Sequence, residues 1–225
     1  MQLNSKTQKS DKFSNKTSQN NIPQSLPQEV VDQLVNLYNQ GEFSSVVEQA
    51  QVLTNEYPNT LMIWNILGAS AAQIGMSDQA VIAFKKVISF NPDYAEAYSN
   101  MGVALHNQGK LDQAMEAYKK ALSLKPDNAN AYFNMGNTLK DQGKFEKAIK
   151  TYKKALSLNP NHALAYNNMG IALKDQGKLN EAIDAYNKAL SLKPNNIEAH
   201  INLGFALLNS GKLKKGLDEN EWRWR

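Results

Sequence analysis

The chain is predicted to be all-α, a solenoid of antiparallel helix pairs, on three observations. Glycines recur at Gly68, Gly102, Gly136, Gly170 and Gly204, each 34 residues after the last. A second series, Gly41, Gly75, Gly109, Gly143, Gly177 and Gly211, keeps the same period, and so do Pro58, Pro92, Pro126, Pro160 and Pro194. Three series in one register mark one supersecondary unit repeated along the chain.

Units numbered from position 1 begin at Pro27, Leu61, Ala95, Ala129, Ala163 and Ile197. Positions 4, 7 and 11 put Tyr98, Met101 and Leu105 on one stripe of a first helix. Leu111, Ala114, Met115, Tyr118, Ala121 and Leu122 do the same for a second. Small residues at positions 8 and 20 let the backbones approach, and the rings at 4 and 24 fill the flanking space. Asn107-Gln108-Gly109-Lys110 predicts a glycine C-cap between the helices. Asp78, Asp112 and Glu146 suit the positive end of the second helix. Asp93, Asp127, Asn161 and Asn195, beside the prolines, are expected to N-cap the next unit.

No single hairpin buries both its faces, so the units must stack. The expected division is a polar, disordered tail over 1–26 and a degenerate N-terminal cap over 27–60. Full units follow over 61–94, 95–128, 129–162 and 163–196, then a partial one with a Trp/Arg tail over 197–225. The first unit has Leu34 where the glycine belongs and Ala50 where the ring belongs.

An aromatic at 4, Leu-Gly or Met-Gly at 7–8, Ala at 20, an aromatic at 24 and Pro at 32 resemble the tetratricopeptide repeat from residue 27 to about 222. The resemblance implies a right-handed superhelix, with first helices lining its concave surface and second helices its convex one. The function it implies is protein-protein binding in the groove, without catalysis.

Composition excludes several classes. With no cysteine there is no disulfide framework, thiolate nucleophile or Cys-based zinc site. No apolar run reaches the roughly 18–20 residues of a membrane span, and MQLNSKTQKS reads as neither a secretory signal nor a transit peptide, so a cytoplasmic location is expected. Of the formal charge of +4, residues 1–26 carry +3, so a folded basic face for nucleic acid is not expected. His106, His162 and His200 fall at unrelated unit positions, and no phosphate loop or nucleophile elbow occurs. No cofactor, metal or catalytic residue is assigned. His200 replaces the position-4 aromatic and reads as a packing substitute. Lysine used almost to the exclusion of arginine suggests an AT-rich, bacterial genome.

The groove offers a more specific pattern. Position 6 is Asn100, Asn134, Asn168 and Asn202 in four successive units, with Asn137 at position 9 and Asn167 at position 5. Such a column could hydrogen-bond an extended peptide backbone, or it could be an inherited residue that helps neighbouring helices pack. Lys140 and Lys174 join it at position 12, each beside an aspartate, Asp141 or Asp175, that nearly neutralises it. The column and the "AYxNMG" phrase resemble the repeats of O-linked N-acetylglucosamine transferases, which implies a polypeptide-holding groove. The alternative that follows is the substrate-recognition arm of a glycosyltransferase, joined or separate. A carboxylate clamp is disfavoured, since positions 2, 5 and 6 hold residues such as Ser99, Phe133 and Glu198.

The last unit ends Glu221-Trp222-Arg223-Trp224-Arg225, which holds both arginines of the chain. Trp222 and Trp224 are candidates for covering the final hairpin, for a domain junction, or for a partner anchor. Self-association through this end is a further expectation.

Overall fold

A computed structural model describes residues 26–224, with side chains as far as Trp222. Residues 1–25 of the expected disordered tail and the Trp224 side chain lie outside the described residues, while Leu26, the tail's last residue, packs partly buried against the core. Among those residues there are twelve α-helices and no strand. They are α1 (Gln28–Asn39), α2 (Phe43–Glu56), α3 (Leu61–Gln73), α4 (Ser77–Phe90), α5 (Ala95–Asn107) and α6 (Leu111–Leu124), then α7 (Ala129–Asp141), α8 (Phe145–Leu158), α9 (Ala163–Asp175), α10 (Leu179–Leu192), α11 (Ile197–Asn209) and α12 (Leu213–Asn220). A 3-10 turn over Glu221–Trp224 follows.

The glycine turn explains the regular hairpins. After α5, Gly109 takes φ +72°, a left-handed conformation favourable to glycine. Its N–H donates to the His106 carbonyl at 2.8 Å, and the Lys110 N–H reaches the Leu105 carbonyl at 3.0 Å. That pair of bonds is a Schellman motif, which satisfies two otherwise orphaned carbonyls. Asp78, Asp112 and Glu146 do sit in the first turns of α4, α6 and α8. Two of them also link units, because Gln108 donates to Asp78 at 3.0 Å and Gln142 to Asp112 at 2.9 Å.

The expected N-caps are displaced by one residue. Asn128, His162 and Asn196 accept from the backbone N–H three residues on, at 3.0, 3.3 and 3.2 Å. The helices start at position 1, so the cap falls at position 34. Asp93 and Asn161 lie inside the preceding turn, where their own N–H groups donate to Asn91 and Asn159.

Each hairpin closes on one contact. A Cβ placed on Gly102, Gly136 or Gly170 would lie 2.6 Å from the buried ring of Tyr118, Tyr152 or Tyr186. Gly68 meets Phe84 in the same way at 2.9 Å. The first hairpin exchanges the two partners, its large side chain coming from α1 as Leu34 and the small one from α2 as Ala50, both fully buried. Filling the same space from the opposite helix keeps the core packed.

Each first helix touches the next, α3 with α5, α5 with α7, α7 with α9 and α9 with α11, while no second helix touches the next second helix. The first helices therefore occupy the inner radius of a right-handed solenoid and line its concave face. Buried alanines at position 3 (Ala97, Ala131, Ala165, Ala199) let them approach.

The exchange in the first hairpin can be transplanted. Gly68→Leu alone should overpack, costing about 1–3 kcal/mol, and Phe84→Ala alone should open a cavity, costing about 3–5 kcal/mol. The double variant should be about 0.5–3 kcal/mol more stable than the sum of the two losses. Urea midpoints of the four proteins measure this coupling.

Candidate functional site

The concave face carries the asparagine column on α5, α7, α9 and α11. Asn100 is exposed, Asn134, Asn168 and Asn202 are half-buried, and Asn167 is completely buried. Asn167 therefore belongs between helices, and its amide does not face the open groove as the sequence suggested. The physical reason is its neighbours: Asn167 Nδ2 donates to Glu198 at 3.1 Å and to Asn168 Oδ1 at 3.3 Å, and its Oδ1 accepts from Asn202 at 3.2 Å.

The bonds continue towards the middle of the array. Asn168 Nδ2 donates to Asn137 Oδ1 at 2.9 Å, and the same oxygen accepts the Tyr152 hydroxyl at 2.7 Å. Tyr152, Asn137, Asn168, Asn167 and Asn202 thus form one amide chain across α8, α7, α9 and α11. It ties three first helices together where their small interface residues offer little apolar area. Burial pushes the Tyr152 phenol far above the ordinary tyrosine range, so it remains a donor. Tyr186, at the equivalent place one unit on, is fully buried with no partner for its hydroxyl, because Ile171 stands where Asn137 would.

Asn100 and Asn134 differ from this set. Neither side-chain amide makes a hydrogen bond among the described residues, leaving two N–H donors and an acceptor on each open to the groove.

The lysines at position 12 are held by acidic neighbours. Lys140 Nζ lies 2.6 Å from Asp141 Oδ1, and His106 Nε2 lies 2.8 Å from Asp141 Oδ2. Burial raises the Asp141 carboxyl, but the hydrogen bonds from Lys140 and His106 and their charges outweigh it and hold it below the ordinary range. Lys174 lies 3.6 Å from Asp175. The groove floor is consequently polar and close to neutral. No cluster of metal-ligating side chains occurs among the described residues, and no helix there is long and apolar enough to cross a membrane.

Phe133 projects from position 5 of α7 against His162, ring centroids 4.5 Å apart. His162 caps α9 through Nδ1, which requires an unprotonated nitrogen. At the C-terminal end, His200 Nε2 donates to the Pro194 carbonyl at 2.8 Å, as Trp64 Nε1 does to Pro58 at 2.8 Å. His200 is thus a packing substitute for the position-4 aromatic. Its Nδ1 lies 2.5 Å from Glu219 on α12, a contact that needs a proton between them. Trp222 stacks on the same ring, 3.9 Å away and 4° from parallel. Of the readings for Trp222, packing over the last hairpin is the one its geometry matches.

Two outcomes follow. Asn167→Ala should cost about 1–3 kcal/mol by removing the buried amide that bonds Asn168, Glu198 and Asn202, while Asn134→Ala should change the thermal midpoint little; calorimetry compares them. Burial holds His162 below the ordinary histidine range. In the window just below about pH 6.5 the unfolded chain therefore takes up a proton that the folded chain refuses, so stability is lost as pH falls. His162→Asn, which copies the caps at Asn128 and Asn196, should keep the helix and flatten that slope in urea titrations at several pH values.

A family model described as TPR repeat matches residues 72–109, 104–143, 136–177 and 172–211. The chain is 27% identical over 88 residues to the peroxisomal targeting signal receptor of Kluyveromyces lactis, and 31% identical over 70 residues to that of Candida albicans. These matches cover 39% and 31% of this chain but only 16% and 12% of the two receptors. Among solved structures, a crystal structure of MamA superposes with a TM-score of 0.64 at 28% identity, covering 69% of this chain and 91% of that one. TTC0263, a thermophilic protein from Thermus thermophilus, gives 0.64 at 22% identity, covering 80% and 98%, a likeness of fold alone. With family matches running from residue 72 to residue 211, the chain belongs to the tetratricopeptide repeat family.

Proposed function

We propose that the chain is a non-catalytic scaffold whose concave groove holds extended polypeptide segments. The observation that carries this reading is the pair of uncommitted amides, Asn100 and Asn134, at the same height on adjacent first helices. A main chain presents alternating donors and acceptors, and an amide column can match them whatever the side chains are. The nearly neutral floor around Asp141 fits a partner recognised by its backbone more than by its charge. Asn168 and Asn202 retain spare N–H donors and extend the column, Lys140 and Lys174 flank it, and Asn137 and Asn167 hold it in place. The targeting signal receptors similar to this chain are, by name, receptors for a signal, which agrees with a binding role. A substrate-recognition arm of a glycosyltransferase would use the same groove and add no residue to it.

The test is affinity for peptides selected on the chain from a random phage-displayed library, read by calorimetry. Replacing Asn100 and Asn134 together with alanine should weaken binding about tenfold, two neutral hydrogen bonds at about 0.5–1.5 kcal/mol each, with helicity unchanged. Unaltered affinity in the double variant would remove the column from the binding site.

A further inference from the structure

Second helices stand apart on the convex face, and one of the clefts between them has an unusual charge. No second helix touches the next, so each gap is floored by the first helix that lies between them. The gap between α6 and α8 holds about 660 Å³. Its floor is apolar, with Met115 and Met135 half-buried beside the buried Leu139.

The two walls of this cleft are unequal. From α8 come Lys144, Lys147 and Lys150, all exposed. Lys147 and Lys150 occupy positions 19 and 22 of their unit, which are Gln113 and Glu116 in α6, Glu181 and Asp184 in α10, and Lys215 and Asp218 in α12. No other second helix carries a cation at both positions. Neither ammonium has a hydrogen bond or ion pair among the described residues, and that of Lys144 meets only the neutral Gln142 Oε1, at 2.9 Å. The α6 wall has two carboxylates, and both are engaged: Glu116 accepts from Lys119 at 2.6 Å and Asp112 from Gln142 at 2.9 Å. Glu146, the acid on α8, stands at position 18, from which Asp78 and Asp112 face the following unit, so it is directed away from α6.

Uncompensated cations beside an apolar floor suit a partner that carries both acidic and apolar side chains. Lys144, Lys147 and Lys150 follow one another at three-residue spacing, about 4.5 Å apart along the axis of α8. A helix laid along the cleft repeats carboxylates at that rise when they are three residues apart. An extended strand repeats a face at intervals of about 6.7 Å and falls out of step. A nucleic-acid strand would offer the methionines no apolar face and would bring its phosphates against Asp112 and Glu116.

We propose that the α6–α8 cleft docks an acidic amphipathic helix of a partner protein. Its apolar stripe rests on Met115, Met135 and Leu139, and its carboxylates meet Lys144, Lys147 and Lys150. Exposed ion pairs contribute modestly, so the floor supplies most of the affinity and the lysines supply the selectivity. The cleft lies on the convex face, so this contact is independent of what the concave groove holds, and both can be occupied at once.

The experiment titrates the full chain into a fluorescein-labelled helical peptide of about four turns, read by fluorescence anisotropy. The peptide carries leucines along one stripe and glutamates beside it at helical spacing. Binding should be saturable, and should weaken about tenfold when the glutamates are replaced with glutamine. Lys147→Gln with Lys150→Gln should weaken it about fivefold, with helicity unchanged by circular dichroism, and Asn100→Ala with Asn134→Ala should leave it unaltered. Lys147→Glu with Lys150→Glu should reject this peptide and bind its lysine counterpart better than the wild type does. No binding up to near-millimolar peptide overturns the proposal. So does an affinity that ignores the lysine substitutions or falls with the asparagine pair, or a single-stranded oligonucleotide of equal charge that binds as tightly as the peptide.

Discussion

The contact between the position-8 glycine of one helix and the position-24 ring of its partner sets the geometry of the array. Gly102, Gly136 and Gly170 each leave room for one tyrosine face and nothing more. Holding every crossing at the same separation repeats the same small rotation from unit to unit, and the repeated rotation produces a solenoid with a constant groove. The terminal hairpins meet the constraint by other means. Leu34 and Ala50 exchange sizes in the first. In the last, a Cβ on Gly204 or on Gly216 would come within 3.0 Å of the other's carbonyl oxygen. With Asn220 in place of a ring, the backbones of α11 and α12 take up the space themselves.

A regular groove places equivalent residues at equivalent heights, which is why four asparagines form a column. The column has two regimes. Towards the C-terminal half, Asn137, Asn168, Asn167 and Asn202 bond to one another and to Tyr152, and act as internal ties between first helices. Towards the middle, Asn100 and Asn134 keep their hydrogen-bonding capacity for something else. The difference follows positions 9 and 5 of the preceding unit: Asn168 and Asn202 find Asn137 and Asn167 there, 31 and 35 residues back, where the same offsets from Asn134 lead to Val103 and Ser99. One duplicated residue type thus serves cohesion in some units and remains available in others.

The period alone made the architecture legible, because glycine, ring and proline occur where the backbone leaves few alternatives. Helix starts were less legible. Position 33 holds Asp or Asn in the same units as position 34 holds Tyr, Asn or His, and composition does not say which one is the cap. The burial of Asn167 was not legible either, since its partners are Asn202 and Glu198, 35 and 31 residues away, and their reach depends on the rotation between units. The stacking of His200 on Trp222 depends on the 3-10 turn that brings the end of the chain back across α11. The uncommitted amides could be named from the sequence, but not separated from the committed ones.

The most direct measurement is the nuclear magnetic resonance spectrum of the asparagine side-chain amides, with and without a saturating peptide selected on the chain. The account predicts large shifts for the Nδ2 protons of Asn100 and Asn134, smaller ones for Asn168 and Asn202, and little change at buried Asn167. Shifts confined to the convex helices α4, α6, α8 and α10, with Asn100 and Asn134 unmoved, would contradict it.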